Sequence, residues 1–287
     1  MSNGIGKRQN EDNSMAMLAA QRQIYNEVSS IETFRFVLSV VLPIILAVVM
    51  NHNIAPSWVT AFSYCLSFAM VFIPLLLIKT RDKKKNLAAS IQLRFDTYVY
   101  EMPWDNVLFG EKTNINYVII EKSRHLLAKD RNAFKDWYSI TADDMTIEKG
   151  IFACQKENYT WDLGLRKKYN GFLIVIIVAF VLFIFSVGIV KNEPFKEWLA
   201  RVVFIIPVLT WFIKQSLDLK DDMERLKELD RVISSPDKRE MKDLQYLQKC
   251  ITEHRRNALK IPNWFYSVFK GKFEDIENKL ASLDKDL

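Results

Sequence analysis

Four long apolar stretches interrupt an otherwise charge-rich chain, and they limit its possible folds more than any other feature. They are Phe34–Met50, Trp58–Ile78, Phe172–Val190 and Leu199–Ile213. A bilayer core of about 30 Å needs about 20 helical residues, because an α-helix rises about 1.5 Å per residue. The second and third stretches hold 21 and 19 residues without an Asp, Glu, Lys or Arg, so they predict transmembrane helices. The first and fourth are shorter and carry an arginine near one end, and we interpret them as the remaining spans of two hairpins.

The overall composition hides this pattern, since 26% charged residues and a mean hydropathy of -0.03 are typical of a soluble domain. We predict an all-α integral membrane protein with four transmembrane helices in two hairpins and a helical cytoplasmic domain. The predicted segments are a cytoplasmic N-terminal segment with an amphipathic helix (1–33), hairpin 1 (34–78), a cytoplasmic helical region (79–171), hairpin 2 (172–213) and cytoplasmic C-terminal helices (214–287).

The positions of Lys and Arg beside the spans predict the orientation, because cytoplasmic loops are enriched in both. The first hairpin loop, Asn51–Ser57, contains neither residue. The second span is followed by the basic run Lys79–Lys85, and the third is preceded by Arg166–Lys168. We therefore place both termini and the central segment in the cytoplasm.

Helical periodicity dominates the polar segments. We expect the first residues, Met1–Ser14, to be disordered and Met15–Glu32 to form an amphipathic helix that leads into the first span. Thr141–Asp144 resembles a capping box and predicts the start of a helix that continues into the third span. The best strand candidate is the short run Asn116–Ile120.

No motif for catalysis or cofactor binding is present. The eight glycines form no phosphate-binding loop, and no HExxH or GxSxG motif occurs. Three cysteines and three histidines lie too far apart for a disulfide framework or a zinc site. Asp143 and Asp144 could suggest a metal-binding pair, but acidic residues at a helix start favour the helix dipole instead. We expect no catalytic residue, no metal, no cofactor and no enzyme activity.

The fourth apolar stretch contains the candidates for a pore lining. Only 12 uncharged residues, about 18 Å of helix, separate Arg201 from Lys214, so Arg201 must lie in or near the outer part of the bilayer. Two interpretations remain open: Arg201 extends outward or pairs with Glu197 four residues earlier, or this helix lines an aqueous path. The pore-lining candidates are Arg201, Thr210 and Glu197.

Several short sequence motifs, taken in their order around the two hairpins, resemble the SMODS-associating four-transmembrane (4TM) effector family over about residues 15–275. These motifs are Met17–Tyr25, Met102–Asp105, Asp136–Tyr138, Cys154–Asn158, Trp161–Asp162, Leu165–Tyr169, Arg255–Arg256 and Ile261–Tyr266. The resemblance implies a pore-forming effector of a bacterial antiphage system that signals with cyclic oligonucleotides. A partner nucleotidyltransferase would make the messenger, the chain would homo-oligomerise, and the inner (cytoplasmic) membrane would become leaky. We expect the lipid bilayer as a partner, and neither DNA nor RNA.

If the messenger binds this chain directly, arginines would contact its phosphates and tryptophans would stack on its bases. The candidates are Arg166, Arg255 and Arg256 for phosphates, and Trp104, Trp137 and Trp264 for bases. A structural alternative stays open: Asp162 and Arg166 have the spacing of a helix ion pair, and Arg255–Arg256 could lie on a solvated helix face.

A different class of function also stays open. The chain could be a membrane-anchored scaffold that recruits a soluble partner through its C-terminal helices, Leu219–Ile233 and Phe273–Leu283. A small transporter is disfavoured, because no acidic residue lies within a span and the hairpins show no clear repeat.

Overall fold

The computed structural model describes residues 2–45, 57–192, 194–233 and 240–269, and this part of the chain is helical. The α-helices are α1 (Ile5–Gln9), α2 (Asp12–Phe36), α3 (Ser57–Val99), α4 (Asn106–Phe109), α5 (Asn116–Lys129), α6 (Ile147–Val190), α7 (Phe195–Ile233) and α8 (Met241–Asn257). A π-helical turn, Val37–Val41, follows α2, and two 3₁₀ turns, Asn132–Phe134 and Ile140–Asp144, precede α6. No strand occurs in the described ranges, so the all-α prediction is confirmed there.

The chain divides into two compact units. The first, called the polar unit below, comprises Met1–Val28, Asp82–Arg166 and Asp222–Leu287, and the second, the apolar unit, comprises Ser29–Arg81 and Lys167–Asp221. The helices α2, α3, α6 and α7 each contain residues of both units. Since α6 runs unbroken for 44 residues, the predicted continuation of this helix into the third apolar stretch is confirmed.

Two helices have the length and composition needed to cross a membrane. These helices are Asp12–Ile45 and Ile147–Val190, with apolar windows of mean hydropathy 1.7 and 3.3. Only 22% and 11% of those windows are buried, whereas the core helix of a soluble protein would be mostly buried. Within the described residues these two helices alone meet the criterion, so the prediction of four spans is supported in part and otherwise stays a prediction.

The polar unit has its own hydrophobic core, built around the first half of α2. Leu18, Ala19 and Ala20 are fully buried there, so this part of the helix is enclosed on more than one face. The core residues from other elements include Ala88, Ile91, Phe95 and Val99 of α3, Ile151 and Cys154 of α6, Leu244 of α8, and Tyr100 and Tyr138. Full burial of each large apolar side chain contributes about 1.5–3 kcal/mol, which gives this unit a basis for stability outside a bilayer.

The expectation of a disordered N-terminus is wrong from Ser2 onward. Residues 5–9 form α1, and Ile5 is fully buried. The preceding Asn3 donates from its side-chain amide to the main-chain oxygens of Ala142 (2.6 Å) and Met145 (3.2 Å). The segment is polar in composition, but specific hydrogen bonds hold it to the region before α6.

Two further local predictions are wrong. Thr141–Asp144 does not open a helix but lies in a 3₁₀ turn, and α6 begins at Ile147. The Asp143 carboxylate instead accepts hydrogen bonds from the main-chain N–H of Gly6 (3.0 Å) and from the Ser2 hydroxyl (2.7 Å). The strand candidate Asn116–Ile120 forms the start of α5, because a short apolar run does not by itself distinguish strand from helix.

The apolar unit contains an ion triplet that connects α2 and α3. Glu32 accepts hydrogen bonds from Arg35 (2.9 Å) on its own helix and from Arg81 (3.1 Å) on α3. In the same unit, the Ser216 hydroxyl of α7 donates to the Asn170 amide oxygen of α6 (2.7 Å). These contacts fix helix neighbours near the ends of the apolar stretches.

Candidate functional site

Arg166, one of the predicted phosphate ligands, is buried and already bound to two carboxylates. Its Nε donates to Asp162 Oδ2 (2.9 Å) and its Nη1 to Asp222 Oδ2 (2.5 Å). Nη1 also donates to the main-chain oxygen of Leu259 (3.1 Å). Asp162 lies one turn earlier on α6, so the i, i+4 pair considered as an alternative is present.

Arg255, the second predicted ligand, has a comparable environment on α8. Its Nη1 donates to Asp96 Oδ2 (2.5 Å), and Asp96 is fully buried in α3. Asp96 also accepts from the Tyr138 hydroxyl (2.5 Å) and from the Gln248 amide (2.7 Å). The arginine thus neutralises a buried carboxylate and does not lie on a solvated helix face, while its ligand-binding role stays a prediction. Its Nη2 is buried and has no hydrogen-bond partner among the described residues.

His254 adds a further contact, since its Nε2 lies 2.6 Å from Asp162 Oδ2. We call the set Asp96, Asp162, Arg166, Asp222, His254 and Arg255 the buried ion network. Burial opposes the ionisation of Asp162, but the charge of Arg166 and the hydrogen bond from His254 outweigh it and hold its pKa well below the usual range. Burial likewise opposes the charge of Arg166, but Asp162 and Asp222 raise its pKa. Asp162 and Arg166 therefore favour their charged forms inside the polar unit.

Tyr25 and Lys260 lie beside this network. The Lys260 ammonium is 5.6 Å from the centre of the Tyr25 ring, in the range of a cation–π contact. Burial raises the pKa of Tyr25 to about 12, and its charged neighbours include Arg255 and Arg166. Burial, followed by the charge of Arg166, lowers the pKa of Lys260 to about 8. Arg22, one turn before Tyr25 on α2, also contributes to this positive potential.

The main chain after α8 fixes the position of Lys260. Residues 258–262 are not helical, and Ala258, Leu259 and Ile261 are buried. The Leu259 N–H donates to Asp222 Oδ2 (2.8 Å), while the Leu259 carbonyl accepts from Arg166. The network thus holds both main-chain groups of the residue that precedes Lys260.

The predicted tryptophans are not brought together. Trp104 donates to the main-chain oxygen of Gly110 (2.9 Å), and Trp264 is 55% exposed beside Phe265. Trp137 lies near a cation of the site, since the Arg22 guanidinium is 6.0 Å from its ring. Arg256 is half-buried, and its Nε has no hydrogen-bond partner in the described ranges. The ligand-binding roles of all these residues stay predictions.

The pore-lining candidates lie on α7. Thr210 is exposed. The side chains of Glu197 and Arg201 fall outside the described part of the structure, so their predicted roles are unchanged. Phe273–Leu283 is also outside the described residues, while the apolar stripe of Leu219–Ile233 packs within the chain and is not free for a partner.

Sequence reasoning missed several members of the site, namely Arg22, Tyr25, Asp96, Asp222, His254 and Lys260. Arg22 and Tyr25 lie in the stretch Met17–Tyr25 of the family resemblance and share a helix face at i, i+3, but neither was predicted to bind a ligand. Asp96 and Arg255 are 159 residues apart, so no local pattern could have paired them. The position of Lys260 directly before Ile261–Tyr266 was a second available signal.

The arrangement is suited to binding an anion through positive charge and hydrogen-bond donors. Among the residues that the structure describes, no group of three or more His, Cys, Asp or Glu side chains is placed to hold a metal ion. A charged, packed helical unit and two helices long and apolar enough to cross a bilayer together indicate a membrane-associated helical protein.

Comparison with known proteins gives a family. The chain matches the SMODS-associating 4TM effector domain over residues 3–282 and belongs to that family. It is also similar to a probable CBASS effector molecule of Bacillus cereus (strain VD146), with 22% identity over 285 residues that cover 94% of each chain. No solved structure matches the chain.

Proposed function

We propose that this protein is a membrane-permeabilising effector of bacterial antiphage defence, gated by a cyclic oligonucleotide that binds the polar unit. In this proposal the chain crosses the inner membrane four times, with both termini in the cytoplasm, and assembles as a homo-oligomer. A nucleotidyltransferase of the same system supplies the messenger. Membership of a 4TM effector family and the similarity to a probable CBASS effector support this role.

The position of the Arg166–Asp222 ion pair is the observation that carries the gating proposal. Arg166 is the last residue of the polar unit on α6, and Asp222 is its first residue on α7. Both helices continue from these residues into the apolar stretches. A ligand that competes for Arg166, or that moves the main chain at Leu259, would act on the two helices that carry the second predicted hairpin.

Dye leakage from liposomes tests the proposal directly. The purified chain would be reconstituted with an enclosed dye and titrated with a panel of cyclic di- and trinucleotides. We expect one or a few of these compounds to release the dye. Release by none of them would remove ligand gating, and full release without any ligand would show that the chain is not gated.

A second measurement separates the pore from the scaffold alternative. Expression of the chain together with a cognate nucleotidyltransferase should depolarise cells, whereas a membrane-anchored scaffold alone should be harmless. Single-channel recording of Arg201→Ala then tests the predicted lining helix. Unchanged conductance and selectivity would show that Arg201 has no part in the pore.

A further inference from the structure

We propose that Lys260, with Arg22 and Tyr25, forms a binding site for one phosphate group of a phosphodiester ligand. The identity of the ligand, a cyclic oligonucleotide, rests on the proposed function. The new part of the inference is the assignment of three residues and of the chemical group that they bind. The site lies within the polar unit, and none of its three residues was a ligand-binding candidate in the sequence analysis.

The first observation is that Lys260 is a partly buried cation without an anionic partner. Its ammonium contacts the face of the Tyr25 ring, and no carboxylate of the described residues forms an ion pair with it. A buried charge is costly unless it is paired. We therefore expect a half-buried, unpaired lysine at a site where an external anion supplies the missing negative charge.

The second observation is that the nearby carboxylates are occupied. Asp162 binds Arg166 and His254, and Asp96 binds Arg255, Tyr138 and Gln248. Asp222 binds Arg166, Arg225 and the Leu259 N–H. None of the three carboxylates can turn to Lys260 without leaving another buried donor unpaired.

The balance of charge follows from these contacts. The cations in and beside the site are Arg22, Arg166, Arg225, Arg255 and Lys260, and the carboxylates are Asp96, Asp162 and Asp222. Positive side chains therefore outnumber negative ones. This excess of positive charge favours the binding of an anion, and a phosphodiester carries one negative charge.

Several donors remain available for that group. The Arg22 guanidinium contacts only the rings of Phe134 and Trp137 among the described residues, at 5.0 and 6.0 Å. The Tyr25 hydroxyl has no hydrogen-bond partner in the described ranges, and Arg255 retains its free Nη2. Ammonium, guanidinium and hydroxyl groups are the usual donors to phosphate oxygens in proteins.

The fixed main chain gives the site its geometry. Leu259 is bound through both its N–H and its carbonyl, and Asn257 accepts a hydrogen bond from Lys85 (3.1 Å). Farther along, the Asn263 amide reaches Asn26 of α2 (3.4 Å). The segment that carries Lys260 is therefore tied on both sides of this residue, which lowers the entropy lost when a ligand binds.

Chemical labelling of the purified full chain tests the site. Trinitrobenzenesulfonate reacts with unprotonated lysines, and mass spectrometry would report the modification of Lys260. The competing compounds would be inorganic phosphate, the panel of cyclic di- and trinucleotides, and vesicles of phosphatidylglycerol against phosphatidylcholine. We expect at least one phosphate compound to slow the labelling of Lys260. Slower labelling with phosphatidylglycerol vesicles than with phosphatidylcholine vesicles would show that a lipid headgroup is the ligand. An unchanged labelling rate with every compound would overturn the proposal.

Variants then measure the contribution of the side chain. Lys260→Gln should bind the protecting compound at least about tenfold more weakly, the loss expected for one charged hydrogen bond. Lys260→Arg should retain most of the affinity, and the exposed Lys242→Gln on α8 serves as the matched control. Equal affinity of Lys260→Gln and wild type would contradict the assignment.

Thermal unfolding distinguishes a binding role from a structural one. Lys260 has no carboxylate partner, but it contacts the Tyr25 ring, so Lys260→Met removes the cost of a partly buried charge and a cation–π contact together. The melting temperature of Lys260→Met should therefore lie within about 4 °C of the ligand-free wild type or above it. A larger decrease would show that the lysine serves the fold, and would sink the proposal. Nucleotide-triggered leakage that is unchanged in Lys260→Gln would retain gating but remove this site. Protection of Lys260 without leakage would retain the site but remove gating.

Discussion

The Arg166–Asp222 pair makes a strong prediction about stability. Asp222 is 1% exposed, and one of its oxygens accepts from both Arg166 and the Leu259 N–H. Its other oxygen accepts from Arg225. Asp222→Ala would leave a buried guanidinium short of a counter-ion and a buried N–H without an acceptor. Loss of one partner of a buried ion pair costs about 3–5 kcal/mol.

Thermal unfolding of the purified chain in detergent, followed by circular dichroism, measures this loss. At about 2–4 °C for each kcal/mol, Asp222→Ala should lower the melting temperature by about 6–20 °C. Its neighbour Asp221 is exposed, so Asp221→Ala should change the melting temperature by less than about 2 °C. Asp222→Asn keeps the shape and one acceptor, and should fall between the two. If Asp222→Ala melted together with Asp221→Ala, the reasoning from the buried pair would be refuted.

Three further predictions concern the polar unit. The pKa of Asp162 is lower in the folded chain than the value of about 3.9 that it has in an unfolded one. Its ionised carboxylate therefore stabilises the fold above about pH 3.9, and this stabilisation is lost as the pH falls below that value. Between pH 5 and pH 3, the melting temperature of Asp162→Asn should consequently fall less than that of wild type. Tyr138→Phe removes a 2.5 Å hydrogen bond to the buried Asp96 and should lower the free energy of unfolding by about 1–3 kcal/mol in a denaturant titration; no change would mean that Asp96 does not need this donor. In Gly150→Ala the new Cβ would lie 2.5 Å from the Asn3 amide, so amide hydrogen exchange in residues 2–9 should accelerate, and unchanged exchange would show that this contact relaxes freely.

Much of the helical framework could be predicted from periodicity, which is a local property of the chain. The stripe in Leu219–Ile233 and the unbroken run of α6 into an apolar stretch both follow from repeats of three and four residues. The errors occurred where a distant partner decides the local structure. Asp143 looked like part of a helix start, but it accepts hydrogen bonds from Ser2 and Gly6, which are more than 130 residues away in sequence.

The candidate site was predictable only in part for a similar reason. Arg166 and Arg255 were predicted as phosphate ligands, but the sequence does not show that Asp222 and Asp96 neutralise them. Whether an arginine is bound or free depends on tertiary packing, and so does the burial of Lys260. The side chains of Glu197 and Arg201 lie outside the described part of the structure, so the predicted pore lining stays a prediction.

The basic residues that follow the second apolar stretch have a consequence for the biogenesis of the protein. Lys84 pairs with Glu27, and Lys85 donates to the main-chain oxygen of Asn257, 172 residues later in the chain. In the proposed topology, Lys85 would help to orient the second span as that span inserts, long before residue 257 has left the ribosome. Its contact with Asn257 would then form only after most of the chain has been synthesised. The polar unit would therefore be completed after insertion of this span, which leaves time for a chaperone or the lipid surface to bind the lysine first.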